Sequence, residues 1–266
     1  MMKERRVVVI SGGSSGIGKS IASVFSEAGD IVYSLSRTGK SSPGITSLST
    51  DVTSAQSVDH AVDMIIRQEK RIDILINCAG YGISGAIEFT DIEDSKQLFE
   101  TDFWGMVRLN AAVIPYMRTN NSGLIINISS VAAILPIPFQ AYYSAAKAAV
   151  TNYTLSLANE LKPFSIHVCA VQPGDVSTGF TSARKKSTKG DDVYNGRIHK
   201  SVGRMENDEQ NGMDPDVIAR SVMHIAEKTR IHPVYTAGVK YRFFILLARV
   251  LPFRFVNWVL YQLYAK

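Results

Sequence analysis

Residues 6–18 read Arg6-Val7-Val8-Val9-Ile10-Ser11-Gly12-Gly13-Ser14-Ser15-Gly16-Ile17-Gly18. Arg6 to Ile10 is a β-branched run too short for a helix of its own, bounded by Gly12 and Gly13, and it predicts a strand buried on both faces. A helical pattern follows from Lys19 to Ala28 and stops at Gly29. Strand, glycine turn and helix, in that order, bring backbone N–H groups and a helix N-terminus to a place where they receive a phosphate. The spacing is Gly-x-x-x-Gly-x-Gly, unlike the more familiar Gly-x-Gly-x-x-Gly, so its weight comes from the strand and helix around it. Gly12, Ser14, Ser15, Gly16, Ile17 and Gly18 are the residues expected to cradle such a group.

Outward from this turn, strands and helices alternate. Ile31 to Leu35 is the next strand, and Ser36-Arg37 sits at its carboxyl end. In a dinucleotide site an acid at this place bonds a ribose 2′-hydroxyl, whereas an arginine accommodates a 2′-phosphate. Arg37 with no acid beside it therefore favours NADP(H) over NAD(H). The connection from Thr38 to Gly44 is too short and too rich in Gly, Ser and Pro for a helix. Ile45 to Leu48 is a third strand ending in Asp51-Val52-Thr53, where Asp51 either bonds an adenine amino group or caps a turn. Thr53 and Gln56 have capping-box spacing ahead of a helix carrying Val58, Ala61, Val62, Ile65 and Ile66 to about Glu69. Ile72 to Ile76 runs into Asn77-Cys78-Ala79-Gly80, small residues that let a flat ring lie against the backbone. After a loop from Tyr81 to Ala86, Thr90 and Glu93 again have capping-box spacing, before a long helix to about Met117 that Pro115 kinks or ends. Leu124 to Ile128, Ile166 to Val171 and Pro233 to Thr236 complete the strands, and Asp214-Pro215 opens a helix to about Lys228. The alternation predicts an α/β fold, a doubly wound parallel sheet with helices on both faces. Ligands bind outside the carboxyl ends of such strands, and the polar features named so far all lie there.

The fifth strand delivers Ser129 and Ser130, followed by a segment entering an alanine-rich helix from Ala141 to Leu161. Tyr143 and Lys147, four apart, project from one face of that helix. The ammonium favours the phenolate and is expected to lower the tyrosine pKa toward a range useful for proton exchange. Ser130 adds a hydroxyl able to hold a carbonyl oxygen beside the phenol. Tyr142 is not equivalent, because its four-on neighbour is Ala146.

Composition narrows the class. The chain has 266 residues, 45% hydrophobic and 20% charged, with a net charge of +5 and a pI near 9.1. That suits one soluble domain over residues 1–266. No basic helix with base-stacking aromatics is present, so a nucleic-acid partner is not expected. Cys78 and Cys169 lie in apolar segments, as reduced thiols of a cytoplasmic protein do. Met1 to Arg6 leads straight into the first strand without a secretory pattern, and export is not expected. Residues 179–213 turn polar and irregular, which reads as a mobile substrate lid in which Arg184, Lys185, Lys186 and Lys189 stand exposed, able to meet an anionic group. Residues 240–266 form an aromatic, aliphatic and basic extension. Val256, Val259, Leu260 and Leu263 share a helical face widened by Phe255 and Trp258, for docking on the substrate region or a neighbouring subunit, or for peripheral membrane contact. No uncharged apolar run approaches the ~20 residues that span a bilayer.

Taken together, Gly12-x-x-x-Gly16-Ile17-Gly18, Asp51, Asn77-Cys78-Ala79-Gly80, Ser130, Tyr143-x-x-x-Lys147 and Pro173-Gly174 with Thr178 resemble the short-chain dehydrogenase/reductase family over about residues 5 to 236. The resemblance implies a Rossmann-type fold, bound NAD(H) or NADP(H), and a homodimer or homotetramer. It adds Val52, Pro173, Gly174, Val176 and Thr178 to the cofactor-contacting set, with Asn77, Ala79, Gly80, Tyr143 and Lys147. Ser11 stands where the family usually has Thr, and Cys78 at the second Asn of its Asn-Asn-Ala-Gly motif. Asp102 occupies the place of an active-site Asn that helps hold a water leading to the lysine. Asp102 is thus a candidate member of the catalytic set, as proton relay or as a charge partner of Lys147. The expected activity is hydride transfer between NADP(H) and a carbonyl or alcohol of a small, apolar substrate, the apolar character suggested by Ile134, Leu135, Ile137 and Phe139. Alternatives are a cofactor-binding regulator or scaffold without turnover, and an epimerase or dehydratase of the related extended group.

Overall fold

The structure, a computed structural model, describes residues 5–39 and 42–266. Lys40 and Ser41, in the connection read between the second and third strands, lie outside the described residues. The chain runs β1 (Val7–Ser11), α1 (Gly16–Glu27), β2 (Ile31–Ser36), β3 (Ile45–Ser49), α2 (Ala55–Glu69) and β4 (Ile74–Asn77). It continues through β5 (Ile83–Ser84), α3 (Ile92–Phe99), α4 (Gly105–Thr119), β6 (Gly123–Ile128), α5 (Ala141–Leu161) and β7 (Ile166–Gln172). The last part holds α6 (Phe180–Ala183), β8 (Lys185–Lys186), α7 (Arg197–Gln210), α8 (Pro215–Ala226), β9 (Val234–Thr236), α9 (Val239–Val250) and α10 (Phe253–Tyr264).

Seven strands form one parallel sheet in the order β3-β2-β1-β4-β6-β7-β9. The unbroken apolar run of β1 is explained by burial on both faces. Val8 and Ile10 point to a core completed by Ile21 and Phe25 of α1 and Val222 of α8. Val7 and Val9 point the other way, to Ile65 of α2, Val113 of α4 and Leu157 of α5. Each such aliphatic side chain stabilises the fold by about 1.5–3 kcal/mol on full burial. The chain leaves β1 toward β2 and β3 and then returns to β4 on the opposite side, so the turns after β1 and β4 diverge around one crevice. This is the doubly wound parallel sheet expected from the alternation, and the Rossmann-type fold that the resemblance implies.

The structure departs from the sequence reading in several places. Helix α2 is capped by Ser54, whose hydroxyl accepts from Ser57 N at 3.3 Å, and not by Thr53. Asp91, not Thr90, caps α3 by accepting from Glu93 N at 2.9 Å. The long helix through Met117 is interrupted at Glu100–Trp104 by a π-helical turn, in which Gly105 N–H bonds Glu100 O five residues back. Beyond it α4 passes through Pro115 and ends at Thr119. The loop from Tyr81 holds the short strand β5, paired in parallel with β8. Residues 179–213 are not an irregular solvated loop: they contain α6, β8 and the 14-residue α7, which buries Ile198, Ser201 and Met205 on one face. Three of the four basic residues read as free for an anionic group are paired instead, Arg184 with Glu209, Lys185 with Asp94 and Lys186 with Glu206.

Candidate active site

The floor of the crevice is built by backbone packed on backbone. Gly12 has φ +69°, and a Cβ there would lie 2.9 Å from Ala79 Cα and N. A Cβ on Gly18 would lie 2.3 Å from Gly12 O. Glycine is therefore demanded by space at both positions and by conformation as well at Gly12. Ser11 Oγ accepts from Cys78 N at 3.1 Å and Ala79 N at 3.2 Å, so the hydroxyl in place of the family's threonine clamps the ends of β1 and β4. Ser15 at the N-cap of α1 makes no side-chain cap bond, and no acid sits in the first turn. The opening amides of α1 thus face the crevice uncapped beside Gly16, whose Cβ position lies 3.4 Å from Thr178 Cβ. A close-packed glycine turn under an uncapped helix N-terminus fits the diphosphate of a dinucleotide.

From this floor a cavity of about 420 Å³ extends past Ala79, Gly80 and Ser130 to Tyr143 and Lys147. Tyr143 comes from the first turn of α5, Lys147 from the next, and Ser130 from the end of β6. Ser130 Oγ accepts from Ala132 N at 3.1 Å, which orients it, and its hydroxyl also meets the Tyr143 phenol. The Tyr143 ring is backed by Phe180 at 5.6 Å, and Lys147 Nζ lies 5.5 Å from its centre. Lys147 Nζ is 3.0 Å from Asp102 Oδ2, with both side chains buried. Asp102 Oδ1 accepts from Tyr81 N at 3.0 Å. The π-helical turn places Asp102 inward, and Gly80 leaves it room, since a Cβ there would lie 2.7 Å from Asp102 Oδ2.

Lys147 pulls the tyrosine pKa down as expected, but its surroundings outweigh that pull and the net shift is upward. Burial is the largest influence on the Tyr143 phenol and raises it. Lys147 opposes, Asp102 adds to the rise, the Ser130 hydroxyl opposes, and the phenol stays above its ordinary 10.0. Burial works against the Lys147 charge, but Asp102 and Tyr143 outweigh it and hold the ammonium above its usual range. Burial likewise raises the Asp102 carboxyl, against the pull of Lys147 and the Tyr81 amide. The Cys78 thiol faces the same lysine and is pushed up to about 11, chiefly by burial. A phenol kept protonated suits a proton donor.

Of the residues singled out in the sequence, Gly12, Ser15, Gly16, Ile17, Gly18, Ala79 and Gly80 line the cavity together with Ser130, Tyr143, Lys147, Pro173, Gly174, Val176 and Thr178. Ser14, Arg37, Asp51, Val52 and Asn77 do not. Arg37 is exposed at the end of β2, beside Ser36, whose buried Oγ has no partner among the described residues. Asp51 Oδ1 accepts from Thr53 N at 2.9 Å and Thr53 Oγ1 at 2.8 Å, a turn-capping arrangement. Those bonds, and then Arg37 and Arg108, hold its carboxyl below the usual range. Val52 is buried against Gly105. Asn77 Nδ2 donates to Asn110 Oδ1 at 2.7 Å and Asn127 Oδ1 at 2.8 Å, and Asn127 Nδ2 donates to Thr154 Oγ1 at 2.9 Å. This buried chain braces β4, α4, β6 and α5 below the cavity.

The lid over the site was read in the sequence, but the residues that form its roof were not singled out. Phe180, Met205, Glu209 and Tyr264 line the cavity from α6, α7 and α10. Tyr241 of α9 covers Gly174, where a Cβ would lie 2.2 Å from the ring, and its hydroxyl donates to Asp175 Oδ2 at 2.5 Å. Glu209 receives the buried Arg184 and the Thr181 hydroxyl, the latter at 2.6 Å. Tyr264 OH donates to Asp208 Oδ2 at 3.0 Å. The sequence signals for this roof were the change of character over residues 179–213, read as a substrate lid, and the aromatic density of the tail.

The family model for short chain dehydrogenase matches residues 6–189. The chain is 42% identical over 226 residues to 3-ketodihydrosphingosine reductase of Bacteroides thetaiotaomicron, covering 84% of each. It is 31% identical over 244 residues to dehydrogenase/reductase SDR family member 7B of Xenopus tropicalis, covering 84% of this chain and 75% of that one. A short-chain dehydrogenase structure from Streptomyces avermitilis superposes with a TM-score of 0.83 at 27% identity, covering 92% of both chains. The chain belongs to the short-chain dehydrogenase/reductase family and is an NAD(P)-dependent oxidoreductase of carbonyl and CH–OH groups.

Proposed function

We propose that the protein reduces a ketone on a long-chain lipid, with NADPH as the preferred cofactor. The observation that carries this reading is the convergence of Ser130, Tyr143 and Lys147 on one cavity whose far walls are apolar, among them Val131, Ile137, Phe180 and Met205. The similarity to 3-ketodihydrosphingosine reductase supports the substrate class. Support for NADPH comes from Arg37 and the unpartnered Ser36 hydroxyl at the end of β2, where a 2′-phosphate is read. The protonated thiols of half-buried Cys78 and buried Cys169, pushed up to about 11 and about 12 chiefly by desolvation, suit a reducing cytoplasm.

The crevice residues Gly12, Gly16, Ile17 and Gly18 hold the cofactor, and when bound it supplies the hydride. Ser130 Oγ and the Tyr143 hydroxyl then hold the substrate carbonyl oxygen between them. As the carbonyl carbon is reduced, Tyr143 passes its proton to that oxygen, completing the alcohol. Lys147, fixed by Asp102, stabilises the phenolate left behind by charge. The neutral phenol is the form that reduction needs.

Titration with NADPH and NADH, followed by NADPH oxidation with long-chain 3-keto bases, other lipophilic ketones and aldehydes, tests the reading. Expected are tighter NADPH binding, lost in Arg37→Ala, and fastest turnover with a long-chain ketone. Equal binding of NADH defeats the cofactor preference. Binding without oxidation of NADPH by any carbonyl points instead to a cofactor-binding regulator.

A further inference from the structure

Residues 239–266 hold five Lys or Arg and no Asp or Glu, while the first 238 residues balance at 24 basic and 24 acidic side chains. The tail thus carries the entire net charge of +5. It folds as α9 and α10, joined at Leu251-Pro252. Only Ile245 in α9 and Leu260 in α10 are fully buried. The Tyr241 and Tyr264 hydroxyls, on Asp175 and Asp208, tie the pair to the body.

The outward side is the apolar one. Val239, Phe243, Leu246 and Val250 recur at helical spacing along α9 with exposures of 83%, 58%, 60% and 75%. Phe253 at the start of α10 is 87% exposed, and Phe255 stacks on Trp258 at 5.9 Å. Lys240, Arg242, Arg249, Arg254 and Lys266 are exposed among them. Such a face does not favour water, and a second copy laid against it by two-fold symmetry brings cation against cation. Apolar and aromatic side chains rimmed only by Lys and Arg match an anionic bilayer surface, where the rings sit at headgroup depth and the cations meet lipid phosphates. No helix among the described residues is long and apolar enough to cross a membrane.

We propose that α9 and α10 seat the protein on the surface of an anionic lipid bilayer. Tyr264 of α10 also lines the catalytic cavity, so the seated face adjoins the cavity wall. The seating is independent of which carbonyl is reduced. Full-length protein is mixed with vesicles of phosphatidylcholine alone or with phosphatidylglycerol, then sedimented. Partitioning to the phosphatidylglycerol vesicles is expected to be at least about tenfold stronger and to weaken with salt. Brominated lipid is expected to quench Trp258, and this quenching disappears in Trp258→Phe. The doubly substituted Phe253→Ser, Trp258→Ser protein is expected to lose about tenfold or more in partitioning, with its melting temperature and NADPH affinity unchanged. Recovery of wild-type protein in the supernatant with both vesicle types overturns the proposal. So does a lipid-free dimer, seen by sedimentation velocity, that the same two substitutions dissociate.

Discussion

Between Gly12 and Gly18 the crevice floor is made of main chain pressed on main chain; between Arg184 and Tyr264 its roof is made of charged and phenolic side chains reaching across elements. The floor leaves no volume for a side chain and shapes itself to a ligand common to many enzymes. The roof sets the room above Tyr143 and is assembled from contacts between residues 25 to 66 positions apart, such as Arg184–Glu209 and Tyr241–Asp175. Cofactor binding and substrate choice are therefore separable in this fold, and substitutions on each side should show it.

The largest effect is expected between the two, at the proton donor. Tyr143→Phe should lower kcat by about 10²–10⁴-fold while leaving the Kd for NADPH unchanged; near-normal turnover would remove Tyr143 from the chemistry. On the roof, Glu209→Ala leaves the Arg184 guanidinium buried without its carboxylate, at a cost of about 3–5 kcal/mol where such a pair is broken. Limited proteolysis should then cut within residues 179–213 and KM should rise, with NADPH affinity preserved. A matching loss of NADPH affinity would break the separation. On the floor, Gly18→Ala drives a Cβ toward Gly12 O, and overpacking of about 1–3 kcal/mol should appear as weaker cofactor binding, by about tenfold or more. Proteolysis of the roof should stay as in the wild type.

The smallest expected effect is a pH shift from Asp102→Asn, a substitution at the junction of floor and wall. Reduction needs the neutral phenol, so kcat/KM falls as pH rises through the Tyr143 pKa. Tyr81, Cys78 and Lys147 also face Asp102 or its partner. Removing the carboxylate takes away a charge that raises the phenol and leaves the Lys147 charge unneutralised, so the falling limb should move to lower pH. An upward shift would mean that Lys147 gives up its proton without Asp102, making the carboxylate the keeper of that charge.

The parallel sheet and the glycine floor were readable because each rests on a local pattern: an apolar run such as Val7–Ile10, or a glycine beside a strand end. Tyr143 and Lys147 were readable because a helix brings residues four apart together. The tyrosine pKa was not, since its rise depends on burial and on Asp102, which an extra residue in a π-helical turn rotates inward. Arg184 read as a loop cation because Glu209 lies on a helix with few apolar positions, burying only Ile198, Ser201 and Met205. The caps of α2 and α3 each fell one residue later than expected, where Ser54 and Asp91 compete with an adjacent threonine for the same amides.

The most direct measurement follows a single turnover with NADPH dideuterated at nicotinamide C4 and a long-chain 3-keto base. The account predicts loss of NADPH absorbance with one deuterium delivered to the carbinol carbon of the product, and neither in Tyr143→Phe. Bound NADPH that is consumed no faster with the ketone than without it would contradict the account.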